Sequence, residues 1–155
     1  LNPRFIVAEE PVSMLDVSIR AEILKLMLEL REKRNLTYLF ITHDLATARL
    51  ICNRIAVMYL GKIVELGSCD AVIGNPYHPY AQALIAAIPE PDPSNRLKMR
   101  KLHIKGEVPS AINIPPGCRF HPRCPEAFDK CSKEEPPMIE VEPGHYTACW
   151  LYAKK

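Results

Sequence analysis

The chain has 155 residues, of which 48% are hydrophobic and 25% are charged, values that are ordinary for a globular domain with one core. Its formal net charge of +2 is too small to argue for nucleic acid binding, and no aromatic and basic pattern supports that function. No apolar stretch approaches the roughly 18 residues of a membrane-spanning helix. The chain starts with Leu-Asn-Pro, without an initiator Met or a signal peptide, so we expect a piece of a longer protein.

An apolar run from Phe5 to Ala8 ends in two adjacent carboxylates, Glu9 and Glu10. Such a run is typical of a parallel strand covered on both faces, and Pro11 prevents the strand from continuing. Ligands of open α/β sheets bind outside the carboxyl ends of the strands, where a Mg²⁺-nucleotide would meet both acids. One acid would hold the ion through its water shell and the other would orient an attacking water. The alternative is an ordinary polar strand end.

A second apolar run, Tyr38 to Ile41, leads into Thr42, His43 and Asp44. A segment of helical length separates the two runs, which predicts a βαβ unit with parallel strands and a right-handed crossover. The two strand ends would then point the same way, so His43 is expected to face Glu10 across one site. Taken alone, His43 would fit a hydrogen-bonded core histidine equally well.

The succession AEEPVSMLD, followed about a helix later by ITHD, resembles the Walker B, D-loop and H-loop motifs of ATP-binding cassette (ABC) ATPases. The resemblance implies that Glu10 is the base that orients water and that His43 contacts the γ-phosphate. It also implies that Glu9 is the magnesium-side acid and that Asp16 reaches across to a second ATPase subunit. The family usually has Asp-Glu where this chain has Glu9-Glu10, which lengthens the magnesium-side arm by one methylene.

The phosphate loop of such ATPases, G-x-x-x-x-G-K-[ST], does not occur in the chain, and neither does an LSGGQ-like signature loop. In the family both precede the Walker B motif. We therefore expect the C-terminal half of an ABC ATPase, which should not turn over ATP by itself. The rival hypothesis is a non-catalytic, metal-bound interaction or regulatory module that keeps a degenerate ATPase half as a scaffold. Glu9 in place of Asp is the best support for that rival.

The other elements of the first half follow from periodicity and turn residues. Apolar residues at spacings of three and four predict a helix over Val17–Arg34, with Asp16 or Ser18 as its N-cap. The further elements expected are a helix and the two strands of a hairpin that turns at Gly61: Leu45–Ile51, Arg54–Tyr59 and KIVELG.

From Asn75 the chain reads NPYHPYAQALIAAIPEPDP, which predicts a helix from Tyr80 to Ile88 with Pro79 in its first turn. This run resembles the oligopeptide and dipeptide uptake subfamily of ABC importers, and GEVPSAINIPPGCRFHPRCPEAFDKC resembles the C-terminal extension of that subfamily. Pro89–Asn95 is a linker by composition. Arg96–Lys105 is basic without an acid, which suits a solvated strand or contact with a membrane surface or an acidic partner loop.

Four cysteines share the last, proline-rich segment: Cys118, Cys124, Cys131 and Cys149. The segment should build little core of its own, so a cross-link is expected to tie it together. Disulfides are rare in a reducing cytosol, and structural zinc usually uses C-x2-4-C pairs, a spacing that the close pairs here lack. Part of the peptide-importer subfamily carries a [4Fe-4S] cluster at such a group, so we expect that cluster, with zinc, disulfides or unligated thiols as alternatives. His121 or His145 could replace one thiolate, whereas Cys52 and Cys69 are interpreted as packing residues.

The expected fold class is α/β, the C-terminal part of an ABC nucleotide-binding domain with a mainly parallel sheet and flanking helices, followed by a small Cys-rich, Pro-rich extension. The domains would be the ATPase part (1–74), a subfamily helix with a basic linker (75–105) and a metal-binding extension (106–155).

The resemblance implies the ATPase subunit of a peptide importer, bound peripherally at the cytoplasmic face of the membrane and using ATP and Mg²⁺. Its partners would be a second ATPase subunit, transmembrane permease subunits and, indirectly, an extracytoplasmic solute-binding protein, but no nucleic acid. The identity of the imported solute would depend on those partners.

Overall fold

The structure is a computed structural model that describes residues 2–88, 104–107, 109–110 and 112–153. The fold is mixed α/β and forms two compact units, Leu1–Asn53 and Arg54–Lys155. The linker expected over Pro89–Asn95 and most of the basic stretch Arg96–Lys105 lie outside the described residues. The predicted functional division at residues 74 and 105 stays a prediction.

The first unit contains, in chain order, a strand, a helix, a strand and a helix: β1 (Phe5–Glu9), α1 (Val17–Arg34), β2 (Thr37–Ile41) and α2 (Leu45–Ile51). The two strands pair in parallel, with Phe5 opposite Thr37 and Glu9 opposite Ile41, so their carboxyl ends lie side by side. The predicted βαβ unit is confirmed, and both helices have the predicted bounds.

The start of α1 is fixed by Asp16, whose side chain accepts the backbone N–H of Ile19 at 3.1 Å. Asp16, and not Ser18, is therefore the N-cap. One face of the strand pair packs inward, but Phe5 and Val7 on the other face are 55% and 57% exposed. The cover expected on both faces of β1 is thus not provided by the described residues.

The second unit is built on a four-stranded antiparallel sheet with the strand order β3–β4–β6–β5. Its strands are β3 (Arg54–Tyr59), β4 (Lys62–Ser68), β5 (Ile139–Glu142) and β6 (His145–Thr147). The predicted hairpin of β3 and β4 turns at Leu60 and Gly61, which both have positive φ. The prediction of a mainly parallel sheet is wrong for the described residues, because this sheet is antiparallel throughout. The short turns that join β3 to β4 and β5 to β6 allow only antiparallel pairing.

The cysteine-rich segment shares the core of the hairpin. β6 pairs with β4, placing Thr147 opposite Glu65, and Phe120 is 1% exposed in a cluster with Tyr59 and Tyr80. This corrects the expectation that only a cross-link holds the segment together, since burial of the Phe120 ring is itself strongly stabilising.

The described residues of the second unit also form the short helices α3 (Cys69–Gly74) and α4 (Pro79–Ala86) and a 3-10 turn (Asp129–Ser132). The helix α4 begins at Pro79, one residue before the predicted Tyr80, and ends at Ala86, before the predicted Ile88. Within the described parts of the chain, no helix has the length and apolar character needed to cross a membrane.

Candidate functional site

Glu10 and His43 meet at the carboxyl ends of the two parallel strands. The backbone N–H of His43 donates to Glu10 Oε1 at 2.8 Å, and His43 Nδ1 lies 2.7 Å from the same oxygen. Because an ionised carboxylate only accepts hydrogen bonds, Nδ1 of His43 carries a proton in this contact. The His43 side chain is 81% exposed, so a ligand can reach it. The expectation that His43 faces Glu10 is confirmed.

The main chain at Glu10 has the uncommon left-handed conformation, with φ of 43°. Its N–H donates to the carbonyl of Ile41 at 2.9 Å, and its own carbonyl accepts the Ser13 hydroxyl at 3.0 Å. These bonds hold the turn after β1 against the end of β2. The hydrogen bond from the His43 side chain is the main cause that lowers the pKa of Glu10, so the carboxylate is ionised and able to accept a proton or orient water.

The other two predicted site residues lie at the edges of this turn. Glu9 is the last residue of β1 and is exposed, and Asp16 is the N-cap of α1. Carboxylate oxygens suit Mg²⁺, which proteins often bind through one or two carboxylates together with substrate phosphates. Glu9 and Glu10 therefore have the right chemistry for Mg²⁺-ATP, and the roles of all four residues stay predictions.

Asp44, directly after His43, is a functional candidate that the sequence reasoning missed. Its Oδ1 accepts the N–H groups of Ala46 and Thr47, which caps α2, and its Oδ2 accepts the Thr47 hydroxyl at 2.6 Å. The same Oδ2 lies 3.3 Å from Nη1 of Arg20 on α1. The Thr47 hydrogen bond is the main cause that lowers the pKa of Asp44. An Asp before a helical segment is an N-cap signal, which could have drawn attention to this residue.

The four cysteines of the predicted metal site lie in one region of the second unit. The N–H of Cys118 donates to the carbonyl of Cys131 at 2.8 Å. Burial raises the pKa of Cys149 to about 12, and repulsion from the other three thiols adds to the effect. Burial also raises the pKa of Cys118 and of Cys124.

The spacing of these thiols is not that of a site for a single metal ion. In the part of the chain that the structure describes, no group of three or more His, Cys, Asp or Glu side chains could hold a metal ion. Each of the two alternative histidine ligands uses one ring nitrogen in another contact, since His145 Nε2 lies 2.7 Å from Glu65 Oε1 and His121 Nδ1 lies 2.9 Å from the Cys118 carbonyl oxygen. The predicted [4Fe-4S] cluster and its zinc alternative therefore both stay predictions.

The His-Pro-Tyr run has a structural role that its sequence did not reveal. Glu65 is fully buried and accepts the N–H groups of Tyr77 and His78 at 2.9 and 2.7 Å, in addition to the His145 contact. His78 Nδ1 in turn accepts the N–H of Tyr80, which caps α4. Burial lowers the pKa of His78 to about 4, so the ring is neutral near pH 7. The motif thus joins α4 to the sheet.

Comparisons with known proteins extend the resemblance to nearly the whole chain. Residues 64–131 match the family model described as "Oligopeptide/dipeptide transporter, C-terminal region". The chain is 49% identical over 153 residues to the oligopeptide transport ATP-binding protein AppF of Bacillus subtilis, covering 99% of this chain and 46% of AppF. It is also 49% identical over 153 residues to the "Probable peptide ABC transporter ATP-binding protein y4tS" of Sinorhizobium fredii, covering 99% of this chain and 43% of y4tS.

The chain therefore spans about half the length of these relatives. The resemblance inferred from the sequence is confirmed: residues 64–131 match the family model of the oligopeptide/dipeptide transporter C-terminal region, and the chain is similar almost throughout to the ATP-binding proteins of peptide transporters.

Proposed function

We propose that the complete protein containing this chain is the ATP-hydrolysing subunit of an ABC importer for peptides. The observation that carries the proposal is the contact of Glu10 with His43 at the carboxyl ends of β1 and β2. The similarity to peptide transport ATP-binding proteins supports the substrate class. The subunit would work at the cytoplasmic face of the membrane with a second ATPase subunit and permease subunits, and indirectly with a solute-binding protein.

In this proposal the side chains divide the work of phosphoryl transfer. Glu10, held ionised by His43, orients the attacking water and accepts its proton. His43 contacts the γ-phosphate with its exposed ring, Glu9 holds the magnesium ion, and Asp16 reaches a second subunit. Bound Mg²⁺ would neutralise charge that develops on the phosphate oxygens.

The substitution Glu10→Gln in the complete protein tests the central role. The amide keeps the size of the side chain but cannot accept a proton, so ATP hydrolysis should fall to background while ATP still binds. The matched control is Glu9→Asp, which restores the residue usual in the family and should leave hydrolysis nearly unchanged or raise it. Near-normal hydrolysis by Glu10→Gln would mean that His43, and not Glu10, is the principal catalytic group.

Nucleotide binding separates this proposal from the rival, a non-catalytic interaction module. The complete protein should bind ATP, whereas the 155-residue chain, which has no phosphate loop, should show the same melting temperature with and without millimolar ATP. If the complete protein neither binds nor hydrolyses ATP, the rival is the better description.

A second proposal concerns the four grouped cysteines, for which we infer a [4Fe-4S] cluster. Its support is the electrostatic interaction among Cys118, Cys124, Cys131 and Cys149, four thiols of the kind that ligate such a cluster. A four-iron cluster is wider than one ion, so its thiolates stand further apart than those around zinc. Loading would release protons, because the pKa of the buried Cys149 thiol lies at about 12.

Anaerobic purification tests the cluster. The protein should be brown, with absorbance at about 400 nm and about four irons and four sulfides per chain. Cys131→Ser should bleach the colour, whereas the control Cys52→Ser, in the first unit, should keep it. A colourless protein with one equivalent of zinc would establish the zinc alternative, and a metal-free, folded protein would exclude both.

A further inference from the structure

Arg20, on the first turns of α1, holds two segments of the candidate site at once. Its Nη1 donates to Asp44 Oδ2 at 3.3 Å, and its Nη2 donates to the carbonyl oxygen of Leu15 at 3.3 Å. Leu15 lies directly before Asp16, in the segment that follows Glu10. One guanidinium therefore connects this segment to the segment that begins after β2.

The contact with Asp44 reaches the reactive pair through a short chain of bonds. Asp44 is fixed at the start of α2 by the N–H groups and the hydroxyl that it accepts. Its neighbour His43 donates its own main-chain N–H to Glu10. Movement of Asp44 would therefore move the N–H and the ring that hold the Glu10 carboxylate, although Arg20 itself does not touch either group.

The simpler interpretation is an ion pair that contributes only to stability. The two side chains are 31% and 33% exposed, and ion pairs with such exposure usually add little stability. Arg20 differs from a typical surface arginine because its Nε is buried and has no hydrogen-bond partner among the described residues. Two bonds to different segments then fix the plane of the guanidinium, a geometry that lysine cannot reproduce.

We propose that Arg20 is a positioning residue for ATP hydrolysis, which keeps Glu10 and His43 in register by tying Asp44 to the loop that precedes α1. The inference rests on the proposed function. A positioning residue should affect the chemical step more than the binding of ATP, because its contacts lie behind the reacting groups.

The test compares Arg20→Gln with Arg31→Gln in the complete protein. Arg31 is a matched control because it lies on the same helix and also reaches across to α2, where its Nη1 donates to the carbonyl of Ile51 at 3.1 Å. Arg20→Gln should lower kcat roughly three- to tenfold and leave KM for ATP within about twofold. Arg31→Gln should leave kcat within about twofold, and Arg20→Lys should recover part of the loss because it keeps the charge.

Amide hydrogen exchange provides a readout that does not depend on ATP. In the 155-residue chain, Arg20→Gln should speed exchange at His43, Ala46 and Thr47, whereas Arg31→Gln should not. Equal kcat for the Arg20→Gln and Arg31→Gln proteins, or faster exchange spread evenly over residues 2–53, would overturn the proposal. Failure of the proposed function is recognised separately, since the unsubstituted protein would then not hydrolyse ATP.

Discussion

Mild acid should destabilise the second unit through the buried His78. The side chain is 1% exposed, and its Nδ1 accepts the N–H of Tyr80 at the start of α4. Burial lowers the pKa of His78 from an ordinary 6.5 to about 4. Protonation of Nδ1 would bury a charge and also remove the acceptor that caps the helix.

The direction of the effect follows from proton binding. The folded chain binds the His78 proton more weakly than the unfolded chain does, so the free energy of unfolding falls as the pH drops from 6.5 toward 4. The difference between these two pKa values corresponds to about 3 kcal/mol of unfolding free energy. The folded chain has this stability in full above pH 6.5 and loses it as the pH falls toward 4. Such a loss is a large part of the stability of a typical domain, about 5–15 kcal/mol.

Urea unfolding measures this loss, followed by the fluorescence of Trp150, the single tryptophan of the chain. His78→Asn keeps a side-chain acceptor at the N-cap but does not titrate. This variant should be less stable than the wild type at about pH 7, because a smaller side chain leaves a cavity, yet it should lose about 3 kcal/mol less on acidification to about pH 4.

The control is Pro79→Ala, which changes the next residue and keeps His78. Its free energy of unfolding should run parallel to that of the wild type at every pH. If His78→Asn retains the full acid sensitivity of the wild type, protonation of His78 is not its cause.

Three further outcomes are expected. His43→Ala should raise the pKa of Glu10 toward its ordinary 4.5, as followed by carbon NMR of the carboxyl group; an unchanged value would contradict the hydrogen bond. Gly117→Ala places a Cβ 2.5 Å from the Cys131 carbonyl at a φ of 67° and should cost about 2–4 kcal/mol in urea unfolding. The matched Gly144→Ala, with a φ of 74° and open space, should cost about 1 kcal/mol, and equal losses would refute the clash. Glu65→Gln should cost about 2–4 kcal/mol, because the amide cannot accept from all the groups around the buried carboxylate. An unchanged melting temperature would contradict the last expectation.

The first unit could be predicted almost completely because its signals are local. The apolar runs, the 3.6-residue periodicity of α1 and the polar residues after each strand each lie within one element. Parallel pairing then follows from the crossover, and it brings Glu10 to His43 without any further information. What could not be predicted is the bond between Arg20 and Asp44, because long side chains on a helix surface have many possible partners.

The strands β5 and β6 cannot be predicted from the sequence because they are short and lie among prolines, with no alternation long enough to identify them. Their place in the sheet depends on a contact between residues 80 positions apart, the bond of His145 to Glu65. Strict alternation along β4 would turn Glu65 away from the face on which Val64 is buried. A register shift in the β3–β4 pairing, between Val57 and Met58, alters the alternation there, and Glu65 is buried instead.

The residues that indicate the transporter family and the residues that indicate ATP hydrolysis are different parts of this chain. The family model covers residues 64–131, which include the buried Glu65 and His78, whereas Glu10 and His43 lie before it. The His-Pro-Tyr run caps α4 and fixes it to the sheet, so its contacts explain a structural requirement and not a catalytic one. Substitutions at His78 should therefore change stability, and substitutions at Glu10 should change turnover in the complete protein. An effect of Glu10→Gln on the stability of the second unit would contradict this separation of structure from chemistry.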